Sequence, residues 1–262
     1  MAFGERIPVK TRREVERMRE AARHVGEVLL ELRGRVAPGV TTALLNEYAE
    51  KAIAERGVNS SFKGYDPQGL PKYPAVLCVS INEEIVHGIP GPREIQDGDI
   101  VSLDFGVSVQ GFHGDSAVTV SVGDVGPEKQ QLLDVSQNSL DDAMEVMGPG
   151  VRLSDIGNAV QRRVEDLGFS VVRDFAGHGI GRQLHEPPWI PNYGAAGRGP
   201  RLLPGMVFAV EPMVTAGSPE VVMQDDEWTA VTADGSQAAH FEHTILITDN
   251  GCEPLTRLPG SH

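Results

Sequence analysis

Hydrophobic positions near the start of the chain recur at helical spacing. After Thr11, which forms a capping-box pattern with Glu14, apolar residues follow every three or four positions until Gly34. A second segment of this kind runs from about Thr42 to Arg56 and stops at Gly57. The pattern therefore predicts two amphipathic helices that follow one another in the chain.

The next part of the chain has the pattern of buried strands. Short runs of apolar and β-branched residues occupy 75–81, 100–106 and 116–120. Helical spacing then returns in two segments, one that begins near Pro127 and one that runs from Leu153 to Leu167. Strands are predicted again at 206–210 and 244–248.

This order of two helices followed by strands occurs twice, and short motifs recur with it. Pro-Gly-Val precedes the second helix of each pair, at 38–40 and 149–151, and a glycine ends that helix at the same spacing. In both halves a turn glycine leads, again at one spacing, to a carboxylate at a strand end, Asp104 or Glu211. The matches indicate an internal repeat.

A repeat of this kind predicts an α+β fold with two halves related by a pseudo-two-fold axis. Each half would contribute two helices and a mainly antiparallel sheet. Equivalent points near the axis would bring Asp104 close to Glu211, and Asp115 close to Glu242. Four carboxylates are thus expected to converge in an interior built from strands.

Composition argues against several classes of function but does not by itself assign one. The 262 residues include 23 Lys and Arg against 37 Asp and Glu, a formal net charge of −14. That charge argues against a general nucleic-acid binder and against an anionic membrane surface. Two cysteines are too few for a disulfide framework or a zinc ribbon. Without a secretory signal or a long apolar run, the expected location is the cytoplasm.

Four buried carboxylates imply a cation, because uncompensated buried charge costs several kcal/mol per ion. Carboxylate oxygens with one imidazole suit Co, Mn, Fe or Zn, and carboxylates able to bridge imply two ions. His178, within Gly-His-Gly-Ile-Gly, is the candidate nitrogen ligand. The symmetry alone does not separate it from His87, which lies in a similar His-Gly-Ile motif.

Several segments together resemble type I methionine aminopeptidases, the bacterial form of the two-fold pita-bread metallopeptidases. The segments are FAGHGIGR followed by His185, INEEIVHGIP, VSLDFG, FHGDSAVT, VEPM and AAHFEHT. The resemblance covers about residues 11–257. It implies one pita-bread catalytic domain with halves of about 11–123 and 124–257, preceded by an N-terminal extension, 1–10, and followed by a tail, 258–262.

The resemblance also implies roles for individual residues. Asp104 would bind one ion, and Asp115 and Glu242 would bridge both. His178 and Glu211 would complete the second ion, and Glu211 would also transfer a proton. His87 and His185 would face the substrate without binding metal. The residues implied for the methionine pocket are Phe62, Tyr65, Tyr73, Cys78, Leu184 and Trp228, with extra length in the pocket loop at 66–71.

The implied activity is removal of the initiator methionine from nascent proteins and peptides whose second residue is small. The expected partners are nascent polypeptide N-termini at the ribosome, with no specific nucleic acid and no membrane, and the expected state is a monomer. Three alternatives remain. An X-Pro peptidase of the same fold is disfavoured by the short N-terminal segment. A metal-free binding module is disfavoured because all five ligand positions are filled. A di-metal oxygenase would need Glu-x-x-His pairs on helices.

The sequence supports less specific predictions for the other polar residues. Strand alternation turns His113 and His243 away from the ligands that they adjoin. His240 has no assigned role, and residues 225–227 are expected to form a solvated turn. Cys78 is either a reactive pocket thiol or an inert buried one.

Overall fold

Four helices form within the described part of this computed structural model, which covers residues 6–66 and 71–258. They are α1 (Arg12–Arg33), α2 (Thr42–Arg56), α3 (Gly126–Val146) and α4 (Leu153–Glu165). Most of the pocket loop at 66–71, the first half of the N-terminal extension and nearly all of the tail lie outside the described residues.

The predicted helix ends are confirmed for the first two helices. Thr11 caps α1 through its hydroxyl, which accepts a bond from the Glu14 N–H, while the Glu14 carboxylate accepts one from the Thr11 N–H at 2.9 Å. Gly57 ends α2 with φ of 63°, in the left-handed region that a glycine adopts without steric penalty. Helix α4 stops before Leu167, which was predicted to lie on its apolar face and is instead exposed.

Fifteen strands are present in the described residues, and they pair with one another in antiparallel fashion, as predicted. The strands are β1 (Asn59–Ser60), β2 (Leu77–Ile81), β3 (Glu84–Val86), β4 (Ile100–Val109), β5 (Phe112–Ser121), β6 (Ser170–Val171), β7 (Gly177–Gly179), β8 (Glu186–Ile190), β9 (Val207–Val210), β10 (Met213–Thr215), β11 (Val221–Met223), β12 (Ala230–Thr232), β13 (Ala238–His240), β14 (Glu242–Ile247) and β15 (Cys252–Pro254).

The main sheet has nine strands and runs through both halves of the repeat. Its order is β1-β4-β5-β14-β9-β7-β8, with β2 added on β4 and β15 on β14. The pairing of β5 with β14 joins the two halves. Two smaller sheets, β13-β10-β6 and β11-β12-β3, complete the framework. The two halves are therefore joined by direct strand pairing, in which Ala117 and Ser116 lie opposite Glu242 and His243.

Each helix pair packs on its own half of the sheet. Helices α1 and α2 share an apolar cluster with β2 and β4, which includes Leu45 and Phe105. Helices α3 and α4 share another with β9 and β14, which includes Ile156 and Phe208. No helix in the described ranges is long and apolar enough to cross a membrane.

Backbone hydrogen bonds repeat between the two halves. The N–H of Gly39 donates to the carbonyl of Ile95 at 2.8 Å, and the N–H of Gly150 donates to the carbonyl of Leu202 at 2.8 Å. Both glycines have positive φ, 83° and 84°. The turn glycines before Asp104 and Glu211, Gly98 and Gly205, also match, with φ of 86° and 87°. Glu211 directly follows β9, but Asp104 is not at a strand end as predicted, because β4 continues to Val109. The repeat read from the sequence is therefore confirmed in backbone conformation.

Candidate metal centre and substrate cavity

Strand register brings three of the predicted carboxylates to one face of the sheet. Ala117 of β5 lies opposite Asp104 of β4 on one side and opposite Glu242 of β14 on the other. Residues opposite one another in an antiparallel pair share a face, and so do residues two apart in a strand. Asp115, two residues before Ala117, therefore points to the same side as the other two acids.

The same register rule places the remaining two predicted ligands. His178 of β7 lies opposite Ala209 of β9, and Glu211 follows two residues after Ala209. The Nε2 atom of His178 is 3.6 Å from Oε1 of Glu211. All five candidate ligands line one cavity, the four carboxylates and this imidazole together.

The donor set fits a divalent cation. Asp115, His178 and Glu242 each offer one ligand atom, and these atoms all lie within 4.8 Å of one another. One carboxylate oxygen of each of Asp104, Asp115 and Glu242 is buried without a hydrogen-bond partner among the described residues. Buried polar atoms without partners are rare, and cation binding supplies the missing interaction.

Electrostatics point the same way. Burial, followed by repulsion from the neighbouring acids, raises the pKa of each of the four carboxyl groups well above its usual range. The repelling neighbour is Glu211 for Asp104, and Asp115 for both Glu211 and Glu242. A cation removes this repulsion, so the cluster is suited to divalent metal binding.

His178 is oriented as a metal ligand. Its Nδ1 atom lies 2.9 Å from the carbonyl oxygen of Gly179 and donates to it, which leaves Nε2 free to accept. Burial lowers the pKa of this imidazole to about 4, so the ring is neutral at neutral pH. The flanking glycines are needed sterically, because a Cβ at Gly177 or Gly179 would lie 2.5 Å or 2.2 Å from a backbone oxygen.

His87 and His185 line the cavity beside this cluster. His87 follows β3 with φ of 62°, a conformation that a non-glycine residue adopts at a steric cost and that often marks functional sites. The His185 ring lies 4.2 Å from that of His178 and 5.1 Å from that of Tyr65. Burial lowers the pKa of His87 to about 4 and that of His185 to about 2. Both rings are therefore neutral and can each donate one hydrogen bond.

The cavity has a volume of about 510 Å³ and its inner wall is apolar. Its lining contains every residue that the resemblance implies for the methionine pocket: Phe62, Tyr65, Tyr73, Cys78, Leu184 and Trp228. The Tyr73 hydroxyl donates to the carbonyls of Leu77 and Gly88, and the Trp228 indole N–H donates to that of Pro71. Because these polar ends are already bonded, the rings present apolar surface to the cavity.

Cys78 belongs to this wall and faces Asp104 across the β2–β4 pair. The thiol is buried, and burial raises its pKa well above the usual range. A thiol held in the protonated form is a weak nucleophile. Of the two readings of the sequence, the structure favours the inert buried thiol.

His240 is the functional candidate that the sequence reading missed. The ring is buried, and its Nε2 atom lies 3.7 Å from Oε2 of Glu211. His240 is two residues before Glu242, so strand alternation could have placed it on the side of the ligands. In contrast, His113 and His243 bond to Ser61 and Thr256, at 2.8 Å each, and do not line the cavity.

The acidic turn at 225–227 is exposed, as expected, but it also has a structural role. The Asp226 carboxylate accepts hydrogen bonds from the backbone N–H groups of Trp228 and Thr229, at 2.9 and 2.7 Å. The turn therefore fixes the backbone of Trp228 at the edge of the cavity.

Comparison with known proteins gives consistent matches over nearly the whole chain. The model of metallopeptidase family M24 matches residues 16–249. Methionine aminopeptidase 1 of Bacillus subtilis is 49% identical over 252 residues, which cover 96% of this chain and 100% of that protein. Methionine aminopeptidase of Clostridium perfringens is 48% identical and covers 95% of this chain and 98% of its own.

Solved structures give the same result for the fold. The crystal structure of methionine aminopeptidase from Thermotoga maritima superposes with a TM-score of 0.93 at 45% identity, covering 97% of this chain and 100% of that one. Prolidase from Pyrococcus furiosus has a TM-score of 0.75 at 19% identity, covering 96% of this chain and 66% of that one. The second similarity concerns the fold alone.

Proposed function

The chain belongs to metallopeptidase family M24, and from that premise we propose that it is a methionine aminopeptidase. It is a metalloaminopeptidase that releases the N-terminal methionine from proteins and peptides whose second residue is small. The observation that carries this function is a buried Asp/His/Glu cluster at one end of an apolar cavity. The relatives with this name match the chain over nearly their whole length.

The proposed metal centre takes two divalent ions of Co, Mn, Fe or Zn. Asp104, Asp115, His178, Glu211 and Glu242 would hold them, since all five line one cavity and ligand atoms of three of them lie close together. When bound, such ions lower the pKa of water and polarise a peptide carbonyl, which is the chemistry of metal-assisted hydrolysis.

The residues of the chain supply proton transfer and hydrogen bonds. Glu211 is the proposed acid–base group, which takes a proton from the attacking water and delivers it to the leaving amine. His87 and His185 donate hydrogen bonds to the oxygen and the amide nitrogen of the scissile peptide as charge develops there. Their neutral state suits this role, because a neutral imidazole donates one hydrogen bond without adding charge.

Methionine is selected by the apolar wall. The rings of Tyr73 and Trp228 lie 5.1 Å apart, nearly perpendicular, and those of Phe62 and Tyr73 lie 6.4 Å apart. An unbranched thioether side chain fits irregular apolar space and makes favourable contacts with aromatic rings. A charged or strongly polar first residue would lose its hydration there without finding a partner.

The proposed setting is the cytoplasm, with nascent polypeptide N-termini at the ribosome as substrates and the chain acting as a monomer. The formal charge of −14 supports substrates other than nucleic acid or anionic lipid.

The test is turnover of Met-Ala-Ser by protein loaded with Mn²⁺, compared with a peptide that carries an X-Pro bond. We expect free methionine from the first and no cleavage of the second. Glu211→Gln should lower kcat by at least about a hundredfold, given the usual contribution of a general base. Glu220→Gln, at an exposed glutamate, is the matched control. Cleavage of the X-Pro peptide alone would indicate a prolidase-like activity instead.

A further inference from the structure

Besides the metal cluster and the methionine pocket, the cavity lining includes the charged residues Arg173, Asp174 and Glu227 and a rim of exposed apolar groups to which the proposed chemistry gives no role. Trp189, Tyr193 and Met223 lie on this rim and line the same cavity as the metal cluster. Trp189 is 63% exposed and Met223 is 46% exposed. Large apolar groups left open to solvent next to a binding cavity are typical of surfaces that contact a ligand.

Strand register fixes the direction of Trp189. It lies directly opposite His178 in the antiparallel pair of β7 and β8, so both side chains stand on the same face of the sheet. Its ring centre is 6.2 Å from that of His185, with the two planes inclined by 33°. The indole therefore continues the row of rings that begins at the candidate metal ligand and passes through the substrate-facing histidine.

Met223 forms the other side of the rim. It lies opposite Ala230 of β12, and Ala230 lies opposite Val86 of β3. Val86 also lines the cavity, so this row of residues faces the site. The neighbouring residue Val222 is 49% exposed but alternates to the other face of β11 and does not line the cavity.

The reach of a peptide suits this rim. An extended chain advances about 3.3 Å per residue, so its third residue lies about 5 Å beyond the bond between the first and second residues. That length is comparable with the 6.2 Å between the ring of His185, which faces the scissile bond in the proposed function, and the ring of Trp189. The rim belongs to the same cavity as the methionine pocket, so a peptide bound there can reach it.

We propose that Trp189 and Met223, with Tyr193, form a subsite for the third residue of the peptide substrate and favour an apolar or aromatic side chain there. This inference rests on the proposed function. An apolar third side chain would cover the exposed indole and thioether groups and remove apolar surface from water. A charged or small third residue would leave both exposed. The subsite therefore adds sequence preference beyond the first two residues.

The experiment measures methionine release from the peptides Met-Ala-X-Ser, with X as Phe, Leu, Ser or Asp, by the full chain loaded with Mn²⁺. We expect kcat/KM to be about five- to tenfold higher for Phe and Leu than for Ser and Asp, mainly through KM. In Trp189→Ala the ratio of kcat/KM for the Phe peptide to kcat/KM for the Ser peptide should fall to near one. Met223→Ala should reduce the ratio in part.

Val222→Ala is the matched control, because it removes an equally exposed apolar side chain from the same strand on the opposite face. In Val222→Ala the ratio of kcat/KM for the Phe peptide to that for the Ser peptide should equal the wild-type ratio. Equal rates for all four peptides, or an unchanged ratio in Trp189→Ala, would overturn the subsite while leaving the aminopeptidase intact. No methionine release from any peptide would overturn the proposed function itself. A change from dimer to monomer in Trp189→Ala, seen by sedimentation, would assign the rim to contact between two copies and also overturn the subsite.

Discussion

His240 shows how a single residue can act on the site without touching the substrate. Its Nε2 atom lies 3.7 Å from Oε2 of Glu211, while the other oxygen of that carboxylate lies 3.6 Å from His178. Burial lowers the pKa of His240 to about 3, so the ring is neutral, and its buried Nε2 atom has no hydrogen-bond partner among the described residues. Glu211 thus lies between two imidazoles, and a small shift would bring the unpartnered Nε2 atom of His240 within hydrogen-bond distance of its carboxylate.

Replacing His240 with leucine should weaken catalysis by about tenfold and reduce metal affinity to a similar degree. Groups that orient a metal ligand typically contribute tenfold to a hundredfold. His240→Gln retains an N–H donor at a comparable reach and should recover most of the activity. Calorimetric titration with Mn²⁺ and steady-state kinetics on Met-Ala-Ser would measure both effects. If leucine and glutamine behave alike, His240 acts through packing and not as a donor.

The difference between predicted and missed residues has a physical origin. The repeat paired Asp104 with Glu211 and Asp115 with Glu242, because equivalent positions of the two halves lie near the same axis. Asp104 and Asp115 nevertheless lie inside β4 and β5 and not at strand ends. His240 lies outside the repeated motifs, and its role depends on how β13 joins β14. Strand alternation from Glu242 could have placed His240 on the side of the ligands, but no local pattern gives its distance from Glu211. The distinction between His178 and His87 likewise came from the family resemblance, because both precede a Gly-Ile pair.

At the scale of elements, the N-terminal segment is tied to the loop that presents His185. Lys10 forms an ion pair with Glu186. The side chain of Lys10 is only 6% exposed and that of Glu186 only 10%. The other carboxylate oxygen of Glu186 accepts hydrogen bonds from the backbone N–H groups of Arg182 and Gln183, at 2.7 and 3.2 Å. The Lys10 backbone N–H donates to Gly205 at 2.7 Å. The loop between β7 and β8 is therefore anchored from outside the two repeated halves.

Lys10→Met should leave Glu186 buried without its partner and lower the free energy of unfolding by about 3 kcal/mol. Because His185 adjoins Glu186, kcat should also fall by about tenfold or more as that ring loses its fixed position. Thermal denaturation and kinetics on Met-Ala-Ser would measure the two effects.

Lys51→Met is the matched control for this prediction. Lys51 pairs with Glu55 on the exposed face of α2, with the charged atoms 3.7 Å apart. Removing that pair should change stability by less than about 1 kcal/mol and leave kcat unchanged. A Lys10 variant that is less stable but retains full kcat would limit the ion pair to a role in stability.

The sequence predicted the ends of the helices better than it predicted which distant segments pair with each other. The capping box at Thr11 and Glu14 and the stop at Gly57 are local signals, and the structure places the ends of α1 and α2 there. The pairing of β5 with β14 joins residues far apart in the chain and depends on long-range packing. The Lys10–Glu186 pair has the same character. Its residues lie in different parts of the chain, and no spacing connects them.

At the scale of the whole molecule, the two halves meet at the cluster of four buried carboxylates, where burial of charge costs free energy. The seam of β5 and β14 carries Asp115 and Glu242, Asp104 lies on the adjoining β4, and Glu211 directly follows the adjoining β9. Burial and mutual repulsion raise the pKa values of all four. The free energy of joining the halves therefore depends on what neutralises this cluster. Metal binding should couple directly to the stability of the fold.

Removal of metal by a chelator should lower the melting temperature by about 10 °C. The basis is a cost of several kcal/mol for uncompensated buried charge and a shift of about 2–4 °C per kcal/mol in a protein of this size. Glu242→Gln should have opposite effects in the two states. With metal it removes a ligand and lowers the melting temperature, but without metal it removes one of the repelling charges and raises it by a few degrees.

Scanning calorimetry of the wild type and of Glu242→Gln, each with Mn²⁺ and after chelation, would measure the two opposite shifts in melting temperature. Glu220→Gln changes the net charge by the same amount at an exposed position, so it should not shift the melting temperature in either state. If Glu242→Gln is destabilising to the same extent with and without metal, its carboxylate stabilises the seam through contacts of its own. The reversal would instead locate the cost of the metal-free fold in the repulsion among the four acids, the same repulsion that makes the seam a cation site.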